Sequence, residues 1–455
     1  MAPPRLFGTN GIRGVVGKDL DTDFASRLGS SIGVLFPRGN LAIGMDGRVS
    51  NIMLREALVS GILSQGCHVE DYDFMPTPAL EYLVKANGKS GGVMVTASHN
   101  PPEYNGFKII DSDGVELSRE KEIRIETLFE RNTFKLPKMP GQRTTAEAAI
   151  RDYLRSIKSH FGETKADLSK ITVMVDSGNG VSFLTTPHIL KQLGCRVITV
   201  NANIDGTFPA RLSEPRPETL TALTELVKTS GANFAVAHDG DGDRAIFVDE
   251  TGEVHWGDRS FALVMDEVLK ANPGGRVVTP LNSSMAVEEI ARKRKGKLIL
   301  TKVGSIEVSR TMLANKAILG GEENGGIFYA PLHPVRDGTM AAVLILKAIV
   351  KNRLPLSKLI SRLPKFPMAK EKYMVKDEAS KRKAMSQLAS ELKGRISSRL
   401  DGVKVDVKGK GWILIRPSGT EELIRLYAEG RTQKDLESLL SEFKPMISGA
   451  VKALG

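Results

Sequence analysis

Between positions 239 and 243 the chain reads Asp239-Gly-Asp241-Gly-Asp243. Three carboxylates at alternate positions, with glycines that permit tight turning, suit one hard divalent cation such as magnesium or calcium. A calcium EF-hand loop is the rival, because Glu250 falls on its twelfth position. Against it, Arg244 stands where the sharp turn demands glycine, and the flanks Phe234–Ala237 and Ala245–Val248 read as strands. Thr96-Ala-Ser98-His99-Asn100-Pro101 offers a serine in a polar turn, equally readable as a helix cap, with Lys108 just downstream as an acid, a base or a surface residue. Glu322-Glu323-Asn324 lies among four glycines. A carboxylate beside an amide suits sugar hydroxyls, which need both acceptors and donors, although a surface turn has the same composition. Arg416-Pro-Ser418-Gly419-Thr420 combines a guanidinium, two hydroxyls and glycine-freed amides, the ingredients of an anion nest, and Arg425 follows as a second positive charge.

The elements around these loops repeat. Three times an apolar strand runs into a small-residue turn, a helix, a glycine and another strand. The copies start at Leu41, Ile171 and Arg276, and each continues through a second helical segment to one more short strand. Those last strands, Gly92–Val95, Phe234–Ala237 and Ala317–Leu319, lead into the serine, aspartate and Glu322 loops. Ligands in α/β sheets bind at the carboxyl ends of strands, so three equivalent loops suit one shared cleft. After the Pro-containing segment Leu363–Pro367 the pattern changes to a charged helix over Glu378–Leu400, two strands around a Gly-Lys-Gly turn, the Arg416 loop and a strand over Leu423–Tyr427. The expected fold is α/β: three related α/β domains with mixed, mainly parallel sheets around one central cleft, plus a smaller α+β C-terminal domain. Domain limits are expected at 1–150 (serine loop), 151–252 (metal loop), 253–366 (sugar loop) and 367–455 (phosphate loop).

The chain has 455 residues, 41% hydrophobic and 26% charged, which excludes disordered, collagen-like and coiled-coil classes. Two cysteines exclude a disulfide framework and a Cys-rich zinc site, and the seven histidines show no metal-ligand spacing. The longest apolar stretch, Met340–Val350, is broken by Lys347 and too short for a bilayer, and the first residues carry no signal-peptide core, so no membrane partner and a cytoplasmic location are expected. The net charge of +11 fits an anionic ligand, whereas aromatics at 5% without interleaved basic runs argue against nucleic acid. Arg292–Lys295 reads as the end of a helix and Lys381-Arg382-Lys383 as a solvated helix face.

The four loops, in this order, together with the opening Phe7-Gly-Thr-Asn-Gly-Ile-Arg13-Gly14, resemble the α-D-phosphohexomutase family over essentially the whole chain. The resemblance implies that the C-terminal domain also faces the central cleft. It implies an isomerase that moves phosphate between O6 and O1 of a hexose, through a phosphoserine enzyme and a 1,6-bisphosphate intermediate. Ser98 would be the phosphoserine, and magnesium would be held by Asp239, Asp241, Asp243 and the Ser98 oxygen. Glu322 and Asn324 would hold the sugar; Arg416, Ser418, Gly419, Thr420 and Arg425 the non-reacting phosphate. Lys108, His99 and Arg13 would serve the reacting hydroxyl, with Lys108 as acid/base, and Arg244 and Arg48 would stabilise charge. A hexose 1,6-bisphosphate would act as activator and a hexose phosphate as substrate; a homodimer is compatible with the resemblance.

The chain departs from the family pattern where bacterial members often carry Ser and His: Asn324 and Gly326 stand there, and His333 is the substitute base that the sequence offers. Anchors on the 3- and 4-hydroxyls do not inspect C2. Phosphomannomutase, phosphoglucomutase and phosphoglucosamine mutase activities are therefore all expected, against the alternatives of a strict phosphoglucosamine mutase and of a non-catalytic sugar-phosphate sensor.

Overall fold

A computed structural model describes residues 6–146, 149–419 and 421–452. Its first three sheets share one order over five strands, to which the first sheet adds Arg143–Thr145, parallel to His68–Phe74 at the edge. In the first, Tyr104–Asp111, Gly91–Val95, Asn40–Met45 and His68–Phe74 lie side by side; in the second, Ala245–Asp249, Phe234–His238, Thr172–Asp176 and Arg196–Val200; in the third, Ile327–Tyr329, Leu319–Gly321, Arg276–Pro280 and Lys297–Thr301. The repeat seen in the sequence is thus a repeat in space. Within each sheet the last three strands pair parallel, as helices between strands require. The first pairs antiparallel with the second, because the loop-bearing strand turns straight back through its polar loop. A fifth strand adds antiparallel beyond it in every case: Ile12–Val15, Val254–His255 and His333–Arg336. The sheets are therefore mixed with more antiparallel pairing than the βαβ units alone predict. The extra share comes from these hairpins, which hold the chemistry-bearing loops by both ends.

The fourth sheet, in the order Met368–Met374, Leu423–Gly430, Gly411–Pro417, Val403–Val407, is antiparallel throughout. Its strand Met368–Met374, not expected from the sequence, precedes the charged helix, which covers Glu378–Glu391 and is shorter than expected: Leu392 caps it, and the chain turns twice before Val403. No helix among the described residues is long and apolar enough to cross a membrane.

Apolar burial divides the molecule unevenly. One core cluster runs continuously from Ala42 and Leu80 through Tyr153 and Phe234 to Phe261 and Leu346, tying the first three sheets together. The fourth has its own core, including Ile413, Leu426 and Phe443. It docks on the third through a small patch in which Trp412, Leu414 and Tyr427 meet Leu281 and Met285. Beside that patch Glu429 accepts hydrogen bonds from Met285 N at 2.6 Å and Trp412 Nε1 at 2.8 Å.

Candidate active site

Ser98 sits in the hairpin loop between Gly91–Val95 and Tyr104–Asp111, fully buried, with a φ of 52°. That left-handed conformation is uncommon outside glycine and must be held by its surroundings. The holding group is Arg48. Its guanidinium donates to the carbonyls of Ser98 (2.9 Å), Asn100 (2.7 Å), Pro101 (2.6 Å) and Tyr104 (2.8 Å), while its Nε pairs with Asp46 at 3.2 Å. All five guanidinium hydrogens are thereby engaged. Arg48 is not free for charge stabilisation in the cleft; it clamps the loop from behind. Thr96 Oγ1 completes the clamp, donating to Asp46 at 2.6 Å and accepting from Ser98 N at 2.8 Å.

The aspartate loop belongs to the second sheet yet meets this serine: Ser98 Oγ donates to Asp239 Oδ2 at 3.0 Å. Ser213 stitches the two loops, donating to Ser98 O and accepting from Gly240 N, both at 3.1 Å. A Cβ on Gly240 would fall 2.9 Å from Ser98 O, so this approach needs the glycine. Oxygens of Asp239, Asp241 and Asp243 lie within 4.8 Å of one another, all buried. Asp241 Oδ1 and Asp243 Oδ1 are buried without a hydrogen-bond partner. Three buried carboxylates, two of them with an unused oxygen, fit a hard divalent cation. Burial and the two neighbouring carboxylates push the Asp239 carboxyl well above its usual range, whereas Arg336 and Lys108 hold Asp243 well below it. From the first sheet's unit, Thr77 Oγ1 donates to Asp241 Oδ2 at 2.6 Å and Thr77 N to Asp241 O at 2.9 Å.

Lys108, the expected acid/base, is ion-paired with the aspartate cluster. Its Nζ reaches Asp241 Oδ2 at 2.7 Å and Asp243 Oδ2 at 2.8 Å, and these partners raise its pKa and keep it charged. His99 Nδ1 lies 3.3 Å from Ser98 Oγ, and burial among Arg244, Arg13, Arg336 and Lys108 keeps the ring neutral. Arg13 donates to Asn100 Oδ1 at 2.5 Å; burial lowers its pKa to about 10, so it stays charged at neutral pH. Arg244 pairs with Glu214 at 3.1 Å and lies 3.9 Å from both Asp239 and Asp243.

Glu322 is buried and pushed upward by desolvation, while Asn324 turns its Oδ1 onto Gly326 N at 3.2 Å. Between Glu322 and the aspartates lies a residue that the sequence did not single out. Arg336 donates to Asp243 Oδ2 at 2.5 Å and stands 3.5 Å from Glu322 Oε2. A Cβ on Gly326 would come within 2.5 Å of Arg336 Cδ, so the missing side chain at 326 is what admits this arginine. His333 is no substitute base: it is 2% exposed, bonded to Gly114 O at 2.8 Å, and burial drops its pKa to about 4.

In the fourth unit Arg416 and Arg425 are cross-strand partners and share one sheet face. Arg416 Nε is tied to Asp401 at 2.9 Å, Arg425 pairs with Glu421, and Ser418 Oγ accepts from Glu421 N at 3.2 Å. Gly419 approaches the first unit closely: a Cβ there would lie 3.3 Å from Thr9 Cγ2, two residues from Gly11, which packs on Lys108. Thr420 lies outside the described residues. Lys381 corrects another expectation: Arg382 and Lys383 are exposed, but Lys381 is buried beneath this loop.

The chain matches four family models in order: phosphoglucomutase/phosphomannomutase alpha/beta/alpha domain I over residues 4–136, domain II over 151–252, domain III over 256–366, and the C-terminal domain over 365–445. It is 39% identical over 98% of its length to a phosphoglucomutase/phosphomannomutase of Thermococcus kodakarensis, covering 99% of that protein. It is also 39% identical, with the same coverage, to a phosphoglucosamine/phosphogalactosamine mutase of Sulfurisphaera tokodaii. Among solved structures, a phosphoglucomutase/phosphomannomutase family protein from Burkholderia thailandensis superposes with a TM-score of 0.88 at 26% identity, over 99% of this chain and 98% of that one.

Proposed function

Since the chain belongs to the phosphoglucomutase/phosphomannomutase family, we infer that it works as a phosphohexomutase, an isomerase that moves phosphate between O6 and O1 of a hexose. The observation that carries this reading is the 3.0 Å contact between Ser98 Oγ and Asp239, which joins a buried hydroxyl to a buried three-carboxylate cluster. In the working enzyme Ser98 Oγ carries a phosphoryl group. The substrate hydroxyl attacks phosphorus: a new O–P bond forms, the P–Oγ bond breaks, the hydroxyl gives up its proton and Ser98 Oγ regains one. The resulting 1,6-bisphosphate turns over in the cleft and returns its other phosphate to Ser98 by the same exchange. A trace of hexose 1,6-bisphosphate primes enzyme whose serine is free.

Such transfers ask for positioning and charge neutralisation more than for covalent help. Asp239, Asp241 and Asp243 would hold a magnesium ion that neutralises charge on the transferring group. Lys108 and Arg336, both charged, keep the carboxylates oriented and add positive potential, as does Arg244. His99 Nδ1, 3.3 Å from Ser98 Oγ, is within reach to exchange a proton with it. Arg13 faces the reacting hydroxyl. Glu322 and Asn324 grip the sugar's 3- and 4-hydroxyls, and Arg416, Ser418, Gly419, Thr420 and Arg425 hold the distal phosphate. These anchors serve both orientations of the bisphosphate, so they leave C2 unread.

The test compares kcat/KM for glucose, mannose and glucosamine 1-phosphates in a coupled assay with magnesium and glucose 1,6-bisphosphate. Turnover of all three within about a thousandfold, ~4 kcal/mol of barrier, is expected. A larger preference for glucosamine would convert the reading to a strict phosphoglucosamine mutase. Binding without turnover would leave a sugar-phosphate sensor.

A further inference from the structure

Lys381 is the fourth residue of the helix Glu378–Glu391, which follows Asp377, whose side chain accepts from Ser380 N. A cation in the first turn opposes the helix dipole, so this lysine is not there for the helix. Burying an ammonium is costly unless each of its three protons finds an acceptor. Each does: Nζ lies 2.8 Å from Ser418 O, 3.1 Å from Glu421 O and 2.6 Å from Glu378 Oε2. Two of the three acceptors are main-chain carbonyls of the loop that joins Gly411–Pro417 to Leu423–Gly430. The loop's ends are closed separately, by Ser418 N donating to Leu423 O at 2.9 Å; Glu421 O also accepts from Leu423 N at 2.9 Å, so Ser418 O is the carbonyl that depends most on the lysine.

The consequence follows from the planar trans peptide, in which C=O and the next N–H point in opposite directions. With Ser418 O drawn down onto Lys381, the N–H of Gly419 is turned to the opposite side. With Glu421 O drawn down as well, the N–H of Glu422 is turned the same way. We propose that Lys381 is the positioning residue of the phosphate loop: it pulls two carbonyls beneath the loop and turns amide donors to the far side, its own charge being balanced by Glu378. The oriented amides are the point, since an anion nest binds through N–H groups that face the ligand. The proposal rests on reading Arg416–Arg425 as the site of the non-reacting phosphate.

The experiment measures KM and kcat for glucose 1-phosphate, and the rise in melting temperature on adding inorganic phosphate, in wild type, Lys381→Met, Lys381→Arg and Arg416→Ala. Methionine keeps the apolar stem and removes the charge, which protects folding. We expect Lys381→Met to raise KM at least tenfold with kcat within threefold, and to abolish most of the phosphate-induced shift, with Lys381→Arg restoring part of both. If Arg416→Ala raises KM but Lys381→Met leaves KM and the phosphate shift unchanged, the proposal is overturned while the phosphate reading stands. If neither variant changes KM or the shift, the phosphate reading itself fails. A Lys381→Met protein whose basal melting temperature collapses, with normal KM in the folded fraction, would make the lysine structural and also overturn the proposal.

Discussion

Ser98 Oγ and Asp239 Oδ2 stand 3.0 Å apart although 141 positions separate them in the chain. Neither loop makes a site alone. The serine loop lacks anything to neutralise a phosphoryl group, and the aspartate loop lacks a nucleophile. Their contact predicts that Ser98→Ala and Asp239→Asn are equivalent losses. Each should lower kcat/KM by roughly a thousandfold or more, ~4 kcal/mol, with little change in melting temperature. Intact mass after incubation with glucose 1,6-bisphosphate checks the mechanism: wild type gains one phosphoryl group and Ser98→Ala gains none.

Thr77 fixes Asp241 through a 2.6 Å side-chain bond and a 2.9 Å main-chain bond. Partners that orient metal ligands typically change affinity by ~10–100-fold when lost. Thr77→Val keeps the shape and the main-chain bond. It should raise the magnesium concentration for half-maximal activity by about tenfold, while kcat at saturating magnesium stays near wild type.

Arg336 and Gly326 should behave as one unit, because any Cβ at 326 invades the arginine's place. Arg336→Ala should lower kcat/KM by roughly a hundredfold, ~3 kcal/mol, since Asp243 and Glu322 lose a shared cation. Gly326→Ala should reproduce much of that loss by displacing the side chain. The double variant should be hardly worse than either single one, a coupling on the order of 1–3 kcal/mol in a double-mutant cycle. Additive effects would show that the two positions act separately.

His333 gives a pH signature. Burial takes its pKa from 6.5 to about 4 while it bonds Gly114 O across two units. The folded state binds this proton less tightly than the unfolded chain does. The histidine's contribution to stability is therefore complete above pH ~6.5 and fades as pH falls toward ~4, by at most about 3 kcal/mol. A plot of melting temperature against pH should be steeper over that interval for wild type than for His333→Gln.

Periodic features were readable in advance. The strand–turn–helix–glycine–strand repeat is written into local hydrophobicity, and it became three sheets that share one five-strand order. The aspartate loop was readable because its chemistry is local, with three ligands in five residues. Roles created by distant partners were not. Nothing around Arg48 says that its hydrogens will be consumed by carbonyls 50 to 56 positions away. Lys381 looks like its exposed neighbours Arg382 and Lys383 until the loop 37 positions on folds over it. Arg336 sits in an unremarkable Pro-Val-Arg-Asp-Gly stretch, and only the fold brings it to Asp243, 93 positions earlier. The missing side chain at Gly326 was noticed as a gap, but a gap in a sequence does not name its tenant.

The fourth unit keeps its apolar interior to itself, and its apolar contact with the rest is the small patch around Trp412, flanked by polar links such as Val303 N to Asp401. Heat or denaturant should therefore meet two bodies of unequal size, the smaller able to unfold first or last. Loosening at that contact would strip one wall from the chamber while the serine and the aspartates stay assembled in the larger body. The distal grip and the reacting centre can thus fail, or be tuned, on separate thermodynamic accounts.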